Sequence, residues 1–500
     1  MIQSLAQNPS RTLSSICALI NASDTTKESA EIFVTGISQS SSDISQGDLF
    51  IALPGEKTHG AQFAKDALKL GAVAVLTDAE GAKMTKGIPI IIALNPRRAA
   101  GILSAWFYAE PMRDLFSVGI TGTNGKTTVT TLLHQISTGA GRESGLIGSV
   151  ETRIGKDILP SARTTPESSD LQALAALMRE RHMRNLFMEV SSHAITLERI
   201  RGAHFAIVGF TNLSQDHLDF HKTMEAYFKV KSSLFTFEYA DLAVINIDDQ
   251  FGARLAQQCE LPVITLSRTD PKANWYYAAI NRQSYGGTSV SIRGSAGILI
   301  EGRTQLYGGY NLDNLLMAVA IAHESGIDPI DIAAMLPHLT GAAGRLEPVR
   351  LGQNFTALVD YAHSPDAIAL VLQTAREITQ SKVIAVLGCG GDRDRSKRPI
   401  MGAALHDGCD IAIYTSDNPR SESADKILAQ MTNGLEIIAP SMIIEDRASA
   451  IAKAVSYASS GDVVIVLGKG HEKGQEIGAV MYDFDDRIEL ARAIENRDNI

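Results

Sequence analysis

The chain has 500 residues, with 46 lysines and arginines against 56 aspartates and glutamates, a formal net charge of −10. That length exceeds a single hydrophobic core and suggests about three domains, and 45% hydrophobic with 20% charged residues fits an ordinary water-soluble enzyme. The acidic balance argues against a nucleic-acid or anionic-membrane partner, and apolar runs too short for a membrane span, with no secretion signal at the start, make the cytoplasm the expected location.

Residues 1 to 112 hold short strand-like runs, DLFIAL, AVAVL and IPIIIAL, with the helical stretch AQFAKDALKLGA between them. Pro111 breaks the pattern ahead of a second segment, 113 to 345, where apolar runs (LFMEV, AIVGFTN, LAVIN, PVITL) alternate with helical ones. After the Gly/Pro-punctuated GAAGRLEPV, residues 346 to 500 repeat the alternation with ALVDY, VIAVLGC, DIAIYTS and VVIVLGK. Such alternation predicts an α/β fold of parallel sheets covered by helices. The cysteines, Cys17, Cys259, Cys389 and Cys409, have no metal-ligand spacing and read as buried thiols.

The second segment opens on VGITGTNGKTT, between an apolar run and the helical TTVTTLLHQI. Strand, glycine loop, helix is the order a phosphate cradle requires. Gly122 and Gly125 permit the tight turn, Lys126 supplies a cation for β- and γ-phosphates, and Thr127 offers a hydroxyl to Mg²⁺. The first glycine of the usual pattern is displaced, because Ile120 stands where it is normally found. ATP or GTP binding is the expectation.

Polar residues cluster just past the carboxyl ends of the later strands: SSHA, LSQDHLDFH, GGDRDRSKR, DNPR and KGHEKG. Open α/β sheets bind ligands at those ends. Glu189 inside an apolar strand is either a metal ligand or a satisfied core carboxylate. His217 could be a ligand or an inert histidine at a helix start. Lys231 cannot be told from Lys229 by pattern alone. The loop carrying Arg393 is either a solvated charged loop or an anion site, and DNPR marks a turn whose Arg420 can fork onto a carboxylate. In GKGHE no Ser or Thr follows the lysine, which favours small-molecule recognition over a second phosphate loop.

Taken together, GTNGKTT, TTPE, EVSSHA, TNLSQDHLDFH, the Tyr227-x-x-x-Lys231 pair, YNLDN, GRLEPV, VDYAHSPD, GGDRDRSKRP, DNPR and GKGHE resemble the Mur ligases of peptidoglycan synthesis, in order along residues 35 to 490. The resemblance implies three domains: a small N-terminal α/β domain that binds UDP-substrate (1–112), a central P-loop ATPase domain (113–345), and a Rossmann-like C-terminal domain that brings the amino acid (346–500). It implies ATP and Mg²⁺ as cofactors, and a monomer acting on UDP-N-acetylmuramoyl-L-alanyl-D-glutamate and meso-2,6-diaminopimelate.

Residue by residue, the resemblance implies that Gly122, Thr123, Asn124, Gly125, Lys126, Thr127 and Thr128 hold the ATP phosphates. Asn311, Asn314 and Arg345 would contact the rest of the nucleotide, with Asp360 near the transferred phosphate. Thr127, Glu189, His217 and a carbamylated Lys231 would bind metal. Ser41, Thr164, Thr165, Ser191 and Arg199 would hold the UDP-muramoyl dipeptide; the family's Asp-Ser-Arg reads Ser40-Ser41-Ser42 here. Arg393, Asp417, Asn418, Pro419, Arg420, Gly468 and Glu472 would hold diaminopimelate. Bound L-lysine, one carboxylate short, would then leave Arg420 without a partner.

Overall fold

The computed structural model describes residues 9–26, 29–55, 57–161, 163–216, 218–282 and 287–497. Three mainly parallel sheets flanked by helices give a three-domain α/β architecture. The chain gathers into two compact units. One runs through Tyr277 with Ile292–Ile300 and Asn314–Met335; the other holds Ala278–Ser291, Glu301–Asp313 and the chain from Leu336 onward.

In the first unit a small parallel sheet is formed by β1 (Gly36–Ser38), β2 (Asp48–Ile51), β3 (Ala74–Thr77) and β4 (Ile90–Ile92). They pair in sequence order. Helix α1 (Pro96–Phe107) starts on an Asn95 cap with Pro96 at its first turn, where a missing N–H is harmless. Ser41 is half-buried on the turn between β1 and β2.

The same unit carries the parallel run of a larger sheet: β5 (Phe116–Thr121), β6 (Ser144–Ile147), β7 (Asn185–Glu189), β8 (Phe205–Phe210), β9 (Ala240–Asn246) and β10 (Val263–Ser267). Their spatial order is β6-β7-β5-β8-β9-β10. β5 therefore lies between β7 and β8, and the chain leaves it toward opposite sides. A crevice opens at such a switch point, at the strands' carboxyl ends. Helix α2 (Lys126–Gly139) follows β5 directly, α3 (Ser168–Glu180) precedes β7, and α4 (Met224–Ser232) lies between β8 and β9. Arg179 at the end of α3 donates to Tyr108 O and Ala109 O, each at 2.9 Å, tying this layer to the segment after α1.

Beyond it, helix α5 (Gly309–Glu324) bears both Asn311 and Asn314, three residues apart on neighbouring positions of one face. The second unit is built on β11 (Thr356–Asp360), β12 (Val383–Cys389), β13 (Ile411–Ser416) and β14 (Val463–Leu467), ordered β11-β14-β12-β13 and all parallel. Every residue of β12, β13 and β14 is buried. Strands covered on both faces have no polar side to show, which is why their sequences run apolar without alternation. Asp360 pairs with Leu467 and Cys389 with Ser416, so the strands end nearly level and their following loops lie side by side.

Candidate active site

The loop between β5 and α2 has the conformation its glycines permit. Gly122 has φ of +144° and Gly125 of +88°. A Cβ on Gly122 would come within 1.9 Å of Thr211 Oγ1, and one on Gly125 within 2.3 Å of Asn314 Oδ1. A side chain at either position would be strained. Thr123 N donates to Asn212 O at 2.9 Å and Asn124 N to Asn212 Oδ1 at 3.0 Å, so the loop is stitched to the segment after β8. Lys126 Nζ donates to Gly122 O and Thr123 O, both at 2.9 Å. Thr127 and Thr128 follow Lys126 in the first turn of α2, whose first N–H groups and dipole suit an anion.

At the end of β7 the carboxylate of Glu189 is almost fully buried. Thr127 Oγ1 donates to its Oε2 at 3.0 Å, and Ser149 N to its Oε1 at 2.7 Å. Lys231 on α4 is 1% exposed. Its Nζ donates to Gly122 O at 2.8 Å and lies 4.7 Å from the centre of the Tyr227 ring. Two lysines thus share one carbonyl. Burial, and then the neighbouring Lys126 charge, hold the Lys231 amine well below the ordinary lysine range. That separates Lys231 from Lys229, which sequence could not do. The Thr127 hydroxyl and Glu189 carboxylate are hard oxygen donors of the kind a divalent cation takes. His217 lies outside the described residues. No three His, Cys, Asp or Glu side chains gather as a metal cluster among the described residues.

The residues expected to hold the UDP-dipeptide adjoin Glu189. Thr165 Oγ1 donates to Glu189 O at 2.9 Å and accepts from Ser191 N at 3.1 Å. Ser149 Oγ donates to Thr164 Oγ1 at 3.0 Å. Arg199 ion-pairs with Glu167 at 2.9 Å, and its burial pulls the guanidinium below its ordinary range. Ser41 sits on the turn after β1 of the small sheet, and no hydrogen bond among the described residues joins it to this cluster.

In the second unit Asp360 ends β11, and burial pushes its carboxyl up despite backbone N–H donors from Leu346 and Ala362, each at 2.7 Å. Arg345 stacks 4.8 Å over the next residue, Tyr361. Asn311, on α5, donates to Tyr307 O at 2.9 Å. The loops after β12, β13 and β14 converge as their strand order dictates. A Cβ on Gly390 would meet both Arg420 Nη1 at 3.2 Å and Arg393 Cγ at 3.7 Å, so the two arginines flank one backbone position. Pro419 O approaches Gly391 so closely that a Cβ there would fall 1.8 Å away. Asn418 Nδ2 donates to Glu472 Oε2 at 2.9 Å, and a Cβ on Gly468 would lie 2.9 Å from Asp417 Oδ2. All seven expected acceptor residues lie in this one loop cluster.

Three features escaped the sequence. Lys469 is fully buried and donates to Asn418 Oδ1 at 2.9 Å, Glu472 Oε2 at 3.3 Å and Asp417 Oδ1 at 3.4 Å. It holds the acidic groups of these loops together. Glu476 lies 3.1 Å from Arg420, which corrects the expectation that L-lysine would leave that arginine without a partner. The third is a wholly buried ion pair between helices α6 (Arg447–Tyr457) and α7 (Asp486–Glu495), Arg447 with Asp486 at 2.7 Å. Arg447 also donates to Ser416 O at 3.2 Å and Leu467 O at 2.9 Å, fixing the ends of β13 and β14 from which the pocket loops spring. Asp486→Ala should strand that charge and destabilise the unit by roughly 3–5 kcal/mol. A lowered urea midpoint is the readout; an unchanged one would remove the pair from the fold's support.

Comparison with known proteins identifies the chain's relatives. Residues 33–105 match the model described as Mur ligase family, catalytic domain; 120–322 match the Mur ligase middle domain; 344–470 match the Mur ligase, glutamate ligase domain. A protein of Streptomyces coelicolor named UDP-N-acetylmuramoyl-L-alanyl-D-glutamate--2,6-diaminopimelate ligase is 46% identical over 93% of each chain. One of the same name from Corynebacterium glutamicum is 40% identical over 93% of each. A solved structure bearing that name aligns with TM-score 0.71 at 31% identity, covering 98% of this chain and 99% of the other. Matched by three family models along most of its length, and by relatives 40–46% identical over 93% of each chain, the chain belongs to the Mur ligase family.

Proposed function

We propose that the protein joins meso-2,6-diaminopimelate to the D-glutamate carboxylate of UDP-N-acetylmuramoyl-L-alanyl-D-glutamate, converting ATP to ADP and phosphate, as a cytoplasmic monomer. No helix among the described residues is long and apolar enough to cross a membrane. We place the domains at 1–112, 113–345 and 346–500; family-model spans 33–105 and 120–322 fall inside the first two, and span 344–470 begins just ahead of the third. The acceptor reading is carried by one observation: Arg420 and Arg393 flank Gly390, with Asn418 and Glu472 hydrogen-bonded in the same loop cluster. A ligand bearing both a carboxylate and an ammonium finds opposite charges there.

A carboxylate is a poor electrophile, so its oxygen must first become a leaving group. The γ-phosphoryl passes from ATP to the D-glutamate carboxylate oxygen and ADP departs. The acceptor amine then attacks the carbonyl carbon, the C–O bond to phosphate breaks, and the amine gives up a proton. The loop 122–128 would hold the phosphates through backbone N–H groups, with Lys126 balancing charge as it moves. Asn311, Asn314 and Arg345 would orient the nucleotide, and Asp360 would sit by the transferred group. Thr127, Glu189, His217 and carbamylated Lys231 would hold Mg²⁺, which would screen the phosphate oxygens. Ser41, Thr164, Thr165, Ser191 and Arg199 would orient the UDP-dipeptide. Arg393, Asp417, Asn418, Pro419, Arg420, Gly468 and Glu472 would present the amine.

ADP release against a panel of UDP-muramoyl peptides and amino acids, with the product's mass, tests this reading. Diaminopimelate should be preferred to L-lysine by about five- to fiftyfold in kcat/KM. That is less than an unpaired arginine would enforce, because Glu476 keeps Arg420 partnered. Arg420→Ala should narrow the preference while sparing ATP binding. Lysine used as well as diaminopimelate would sink the acceptor assignment.

A further inference from the structure

The turn 417–420 is zipped through its backbone to the hairpin of β15 (Gly474–Ile477) and β16 (Val480–Asp483). Arg420 N donates to Glu476 O at 3.0 Å and Gly478 N to Arg420 O at 2.7 Å. Glu476 N donates to Asn418 Oδ1 at 2.9 Å, and Gln475 Nε2 to Asp417 O at 2.7 Å. Arg420 holds φ of +51°, a left-handed value that a side chain rarely adopts, so this frame aims the guanidinium. Arg420 Nε then donates to Glu476 Oε2 at 3.1 Å and Nη1 to Gly391 O at 2.7 Å. The two side chains are 22% and 36% exposed, and a pair so open to water is weak enough to exchange.

We propose that Glu476 is a latch on Arg420: its carboxylate takes the guanidinium edge that the distal carboxylate of diaminopimelate needs, and swings aside as the acceptor enters. This rests on the acceptor reading above. Only a side chain has to turn, because the backbone bonds between residue 420 and β15 do not involve the carboxylate. The entering carboxylate competes with an internal group of the same chemistry, which weakens diaminopimelate binding. L-Lysine leaves the pair intact, so Glu476 also softens discrimination against it. Lys469 and Glu472 play no part in this exchange; Glu476 acts through Arg420 as a positioning residue.

The test is Glu476→Gln in the full chain, which keeps the shape and the backbone bonds. KM for diaminopimelate should fall about two- to tenfold, with kcat and KM for ATP unchanged. KM for L-lysine should not fall, so the preference widens by the same factor. In an Arg420→Ala background the Glu476→Gln change should lower nothing. A thermal melt matching the parent separates these effects from misfolding. If the unsubstituted enzyme does not use diaminopimelate at all, the acceptor reading fails and takes the latch with it. If it does, and Glu476→Gln leaves KM unchanged or raises it, the latch alone is overturned, since a mere brace on Arg420 would behave that way.

Discussion

Lys126→Ala should lower ATP-dependent ligation by about a hundredfold or more. Phosphoryl transfer gives a protein little covalent work, so its catalysis rests on placing charge where charge moves. Lys126 stands at the first position of α2, with its Nζ held by Gly122 O and Thr123 O at 2.9 Å. The loop therefore carries its own cation, steered by two of its own carbonyls. Truncation removes that cation and leaves the carbonyls facing inward, an arrangement that repels phosphate. The fold should survive, because the residue is only half-buried and the loop is held independently by Asn212. Steady-state ADP release, with circular dichroism as a control, measures it. A variant that ligates near the parental rate would end the phosphate-cradle reading of this loop.

The strands of the three sheets could be read from sequence wherever burial on both faces left an uninterrupted apolar run, as at Val383–Cys389 and Val463–Leu467. The glycine loop was legible because Gly122 and Gly125 take positive φ angles that strain any side chain. The hairpin of β15 and β16 was not, because all of β16 is exposed and so lacks the pattern that burial imprints. Glu476 and Lys469 stayed invisible for a related reason. Their roles come from partners more than fifty residues away, at Arg420 and Asn418, and no local spacing encodes such a meeting. Ser149 was missed likewise, since its N–H reaches Glu189 across forty residues. Lys231 lies between these cases: family resemblance singled it out, and the buried position beside Lys126 supplies the physical reason.

Lys231→Ala should fall to near inactivity, about a hundredfold or more below the parent, and regain part of its rate with added formate or acetate. An ammonium cannot ligate a cation and a neutral amine is a poor donor to a hard ion such as Mg²⁺, so a lysine serves this metal best as its carbamate. That adduct forms when the neutral amine attacks CO₂, making an N–C bond and releasing a proton. The amine must first be neutral near neutral pH, and burial together with the Lys126 charge pushes Lys231 in that direction. Its Nζ meets a carbonyl and the face of Tyr227, and the opposing pull of the Asp216 carboxylate is smaller than either effect. The carbamate would add such a carboxylate near the phosphate loop, where Thr127 and Glu189 already lie 3.0 Å apart. Lys231→Arg is the discriminating control: it keeps a cation but cannot be carbamylated, and should be as inactive as the alanine variant. Both should lose the rise in rate that bicarbonate gives the parent after CO₂ is stripped. An alanine variant as active as the parent, or an active arginine variant indifferent to bicarbonate, would take Lys231 out of the metal site.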